Sequence, residues 1–132
     1  MTEQYGQSGI NPLDAEPIAV QTTDITAITQ TLGVLEDGQS LTVRIFGGGS
    51  ASAAQVLNNY VVGEARVTFV REAGVGSLTP FSVPVLSQVG GPVALSFVVD
   101  DVSVPGQTIC RLSIAGPAFD YDHRLKVSKI QF

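Results

Sequence analysis

Histidine, cysteine and methionine occur once each, and tryptophan not at all, in a chain of 132 residues. A single cysteine leaves no internal disulfide framework. One His and one Cys are too few ligands for a dedicated zinc site. Charge is sparse as well, at 14% of residues, and seven Lys and Arg stand against twelve Asp and Glu. A net charge of −5 is the wrong balance for neutralising phosphates, which excludes nucleic-acid binding as a main role. No window approaches the ~20 apolar residues of a membrane span. The opening MTEQYGQSGINPL has neither the basic start nor the apolar run of a signal peptide. A soluble protein made in the cytoplasm, with no membrane partner, is the expectation.

What is there is apolar sheet-forming sequence. Hydrophobic residues make up 44% of the chain, enough for one domain with a real core. Where a small domain usually carries Lys and Glu, this one carries Ser, Thr, Gln, Asn and Gly. Surfaces covered in an assembly have that composition, because interface centres are depleted of charge.

The strongest pattern runs from Pro92 to Ala115. Val93, Leu95, Phe97 and Val99 alternate with Ala94, Ser96 and Val98, the period of a strand with one deeply buried face. Asp100 and Asp101 stop it, Pro105-Gly106 turns the chain, and a second strand follows with Cys110, Leu112 and Ile114 on one face. Ile18 to Gln21 reads as a short strand. Thr23 to Leu35 is rich in β-branched residues, and after the Glu36-Asp37-Gly38 turn, Gln39 to Phe46 alternates. These two segments are expected to form a hairpin. Tyr60 to Ala73 is a further strand, and Pro80 and Pro84 consign Leu78 to Val89 to an edge or an irregular strand. In the last strand, Arg124 to Phe132, the apolar face switches between Val127 and Ile130, which predicts a bulge near Ser128. Seven to eight strands without a long helix predict an all-β fold, an antiparallel β-sandwich or jelly roll. The domain spans residues 18–132. Residues 1–17, polar and without periodicity, read as an extended N-terminal arm whose isolated apolar residues Tyr5, Ile10 and Leu13, with Ile18, are the candidate partner-binding anchors.

Three stretches invite a chemical reading. Gly47 to Asn59 begins with three glycines but lacks the Lys-Ser/Thr of a phosphate loop, and a flexible loop leading into a helical turn at Ala51 to Leu57 fits it better. Asp120, Asp122 and His123 supply two-thirds of a hydrolytic triad, with no nucleophile elbow to accompany them. Cys110 and His123 are conceivable partners for nucleophilic chemistry, though a thiol inside an apolar strand reads as core. The acidic pairs Asp100-Asp101 and Asp120/Asp122 together offer oxygens for calcium if their loops are neighbours. No catalytic, cofactor-binding or metal residue is assigned, and the chain is expected not to be an enzyme.

GEARVTFVREAG (63–74), SFVVDDVSVPGQTICRLSIAG (96–116) and the closing HRLKVSKIQF follow one another in an order that resembles the jelly-roll domains of phage virion accessory proteins and fibres. More distantly, it is similar to the trimeric jelly rolls of the tumour-necrosis-factor and complement type. The resemblance covers about the last half of the chain and departs from it at Cys110, where an aromatic is frequent. It implies a non-enzymatic virion structural protein: a head decoration (cement) protein that binds the major capsid protein or other virion proteins through its arm and sheet edges, as a symmetric oligomer such as a trimer. The alternative is a receptor- or carbohydrate-binding fibre module, disfavoured by the lack of Trp and the three Tyr, since sugars stack on aromatic faces.

Overall fold

The computed structural model describes residues 16–53, 59–82, 87–89 and 93–132. Every regular element among them is a strand: β1 (Glu16–Thr22), β2 (Ile28–Leu35), β3 (Ser40–Ala51), β4 (Asn59–Glu72), β5 (Val75–Ser82), β6 (Ser87–Val89), β7 (Ala94–Asp100), β8 (Thr108–Ala115) and β9 (Tyr121–Gln131). They form two antiparallel sheets. The larger has the order β1-β9-β3-β4-β5, with β6 also paired to β4, and the smaller the order β2-β8-β7. The all-β expectation holds, as two antiparallel sheets whose buried side chains form one core. Among the described residues no helix is long and apolar enough to cross a membrane.

Alternation builds the core. Leu41, Val43 and Ile45 of β3, Val67 and Phe69 of β4, and Leu125 and Val127 of β9 face Leu32 and Leu35 of β2 and Cys110, Leu112 and Ile114 of β8, all buried. An edge-on contact between Phe69 and Phe97, with centroids 6.0 Å apart, joins the layers. Leu95, Phe97 and Val99 are only partly buried, because β7 is an edge of the smaller sheet. The deeply buried face expected of that strand belongs to β8 instead.

Four local expectations are corrected. β2 and β3 are not a hairpin: β2 pairs with β8 and β3 with β4 and β9. The turn between them passes from one layer to the other. Gly38 N–H donates to Arg71 O (2.9 Å) and Arg71 N–H to Gln39 O (3.1 Å), drawing β3 onto β4. The three glycines are strand, not loop, and Ala51 ends β3; positions 54–58 of the expected helical turn lie outside the described residues. A Cβ on Gly48 would strike the Tyr60 carbonyl, and one on Gly49 would lie 2.6 Å from the Asp122 carbonyl. Glycine is needed there for close backbone approach.

The third correction concerns Ser128, where the β3–β9 register runs unbroken from Tyr121 to Gln131. Irregularities fall instead at Thr31/Gly33, Ile45/Gly47 and Arg66/Val67. The change of face at the end of β9 has another cause. Lys129 takes an inward position and leads its ammonium out to Leu32 O (2.9 Å) and Glu16 (3.1 Å) at the rim. The fourth is the acidic quartet. Asp100-Asp101 and Asp120 lie at opposite ends of β8, about 25 Å apart for eight residues of strand, so they do not share a cation.

Candidate docking surface

The triad and thiol residues are absorbed into the fold. His123 is fully buried, and its Nε2 and Nδ1 lie 2.9 Å from the Thr22 and Tyr60 hydroxyls respectively. Tyr121 packs beside the ring at 5.0 Å. With both nitrogens engaged, the imidazole is a polar strut across β1, β9 and β4, and burial holds its pKa below the ordinary histidine value. Asp122 lies on the opposite face of β9, accepting from Gln21 Nε2 at 3.1 Å. Asp122 and His123 therefore do not converge. Cys110 is buried on β8, and burial, with Asp101 adding to it, pushes the thiol up to about 12, the wrong direction for a nucleophile.

The loops at one end of the sandwich are organised differently. The β2–β3 turn, the β4–β5 turn and the β7–β8 turn meet around Arg71, which is 6% exposed. Its Nε donates to Asp37 Oδ1 (2.8 Å) and its Nη1 to Thr108 Oγ1 (3.0 Å), with Asp101 Oδ1 at 3.8 Å. Asp37 Oδ1 also accepts from Gly74 N–H (3.0 Å), and Asp101 Oδ2 from Gly76 N–H (3.0 Å). Each turn is thus tied to at least one other by a charge-assisted bond. Asp100 fixes the β7–β8 turn from within, accepting from the Ser103 hydroxyl, Ser103 N–H (3.0 Å), Val102 N–H (2.9 Å) and Arg111 Nη2 (3.1 Å). These bonds, the Ser103 hydroxyl first, hold its carboxyl well below the usual carboxylate range. Asp101 is lowered too, chiefly by the Thr108 hydroxyl and then Gly76 N–H.

On this rigid frame sit apolar side chains with no cover among the described residues. Val75 is 62% exposed, Val102 86% and Phe132 69%, with Val104 beside Val102. The C-terminal Phe132 reaches the same end through paired backbone bonds with Ser40. Val102 and Val104 lie in the β7–β8 turn, Val75 opens β5 and Phe132 follows β9, so the exposed apolar groups of this end are candidates for a contact surface. Sequence alone does not single it out, because EAGVGS (72–77) and DDVSVPG (100–106) carry the composition of turns. The available signal was valine inside stretches that are otherwise polar.

Of the arm anchors, Ile18 belongs to β1, pairs with Leu125 and packs against the core. Tyr5, Ile10 and Leu13 lie outside the described residues. Among the described residues no group of His, Cys, Asp or Glu is placed to hold a metal ion.

No protein-family model matches this chain. No curated protein is similar to it at a significant level, and no solved structure matches its fold at that level.

Proposed function

We propose that this chain is a non-enzymatic structural protein of an assembled particle, a capsid decoration (cement) protein that docks on the major capsid protein or a neighbouring virion protein. The observation that carries the reading is the Arg71-centred end, where cross-tied turns and the strand ends beside them leave Val75, Val102, Val104 and Phe132 exposed to solvent. Preorganised loops lose little entropy on binding, which suits a protein that must adhere to a preformed shell. The nested pairing of β1 with β9 and β2 with β8 supports the roll-like part of the expected jelly roll, while β3, β4 and β5 follow one another as a meander.

Magnitudes favour a repetitive partner. Burying what these four side chains still expose supplies roughly 4–8 kcal/mol gross, against an association cost of about 4–15 kcal/mol. One copy on one site binds weakly; many copies on a lattice, helped by an arm contact through residues 1–15 or by oligomerisation as a trimer, bind well. A sugar-binding role has less support, since Tyr60 and Tyr121 are buried.

Sedimentation of large particles from the native source tests the reading. The expected result is this chain in the particle fraction at a fixed stoichiometry that survives a salt wash. Its presence only in the soluble fraction overturns the proposal.

A further inference from the structure

The outward face of the larger sheet carries charge opposite to that of the chain as a whole. Arg124 and Lys126 stand exposed on alternate positions of β9, and Arg44 and Arg66 lie directly opposite each other on β3 and β4. Like charges in register are unfavourable. They are held together by Glu64, whose Oε2 is 3.1 Å from Arg44 Nε and 3.3 Å from Arg66 Nη2. Among the described residues Arg124 and Lys126 have no ion-pair partner. Away from the turn end of β4, where Glu72 lies, four cations against Glu64 and Asp122 leave the centre of this face positive by two, in a chain of net charge −5. Phe46, half-buried, and the exposed Val61 supply apolar surface on it.

The Arg71-centred end has the complementary character. It carries the carboxylates of Glu36, Asp37, Glu72, Asp100 and Asp101 against Arg71 and Arg111, negative by three, together with its exposed valines. Glu36 and Glu72 are exposed, and Asp37 keeps 59% of its side chain in solvent.

We propose that the positive face of the larger sheet receives the acidic, apolar end of a second copy of this chain. The inference rests on reading that end as a docking surface, and it names a second copy of this chain as the neighbouring protein that the end meets. Because the two patches are different parts of one molecule, the contact is heterologous, and repetition produces a ring or an open chain of subunits. Charge aligns the copies and the apolar groups supply the burial that surface ion pairs alone, at about 0–1 kcal/mol each, do not. An extended polyanion is a poorer occupant, because the remaining surface repels it.

The test uses the full chain and light scattering after size exclusion, at low and at high salt. Wild-type protein is expected at twice the monomer mass or more at low salt, falling toward monomer as salt screens the contact. R124E/K126E and E36K/E72K, each with an unchanged melting curve, are expected to be monomeric alone. Their equimolar mixture restores assembly, because each mutated patch then meets its opposite. A monomeric wild type, a variant that assembles as wild type does, or a mixture that stays monomeric overturns the proposal. Capture of monomeric wild type by a polyglutamate peptide assigns the face to a foreign acidic partner and also overturns it. If wild type is monomeric yet still sediments with particles, the self-contact fails while the docking reading stands.

Discussion

Arg71 and Asp37, 34 residues apart in sequence, meet at 2.8 Å and tie the β4–β5 turn to the β2–β3 turn. The same guanidinium bonds Thr108 at the start of β8, so one nearly buried side chain holds three turns in place.

Replacing Arg71 with Ala is expected to lower stability by about 1.5–3 kcal/mol, the range for hydrogen bonds to charged groups. Asp37 and Asp101 reach solvent, which keeps the loss below that of a fully buried pair. Urea unfolding measures it. The greater effect falls on order: hydrogen exchange at Gly74, Gly76 and residues 101–107 accelerates, while the β3–β4–β9 core stays protected.

Acid sensitivity follows from lowered groups of two kinds, carboxylate and imidazole. Asp100 and Asp101 have folded-state pKa values below their unfolded ones. Their contribution is therefore complete above about pH 4, the unfolded carboxylate value, and is lost as pH falls through the folded values. Asp100→Asn removes the Asp100 share of that dependence, so wild type and variant differ most above about pH 4 and converge as pH falls below it. His123 acts earlier. Its folded pKa is lowered by burial, so the unfolded chain takes up a proton first, from about pH 6.5 downward, and stability declines until the folded value is passed. His123→Gln abolishes this earlier slope even where it lowers stability overall. Urea unfolding across pH reads both.

The glycines of β3 and β2 separate a rigid contact from a yielding one. A Cβ at Gly49 meets the Asp122 carbonyl at 2.6 Å and Tyr60 Cε1 at 2.8 Å; one at Gly33 meets only the flexible end of Leu41, at 2.7 Å. Gly49→Ala is expected to destabilise by at least about 1–3 kcal/mol, the range for overpacking, and Gly33→Ala by less. Thermal melts of the two variants check the order.

Much of the fold was legible because alternation is a local property. The β4 run Ala65, Val67, Phe69 and the β8 run Cys110, Leu112, Ile114 declare their buried faces without reference to any partner. Which strands pair is not local. Glu36-Asp37-Gly38 looks like a hairpin turn, yet the Arg71 backbone captures it and sends β3 to the other layer. The role of Gly47–Gly49 was hidden for the same reason, since the backbones that approach them come from β4 and β9. His123 drew attention as a lone titratable residue, and only the positions of Thr22 and Tyr60 make it a strut. The docking end depended on three turns meeting, which no single window contains.

The most direct measurement is particle co-sedimentation of a Val75→Asp/Val102→Asp variant beside wild type. Both side chains are exposed, so the variant is expected to melt within a few degrees of wild type. The account predicts that it stays in the supernatant while wild type pellets with the particles. A variant that pellets as wild type does would contradict the claim that this end of the sandwich is the adhesive surface.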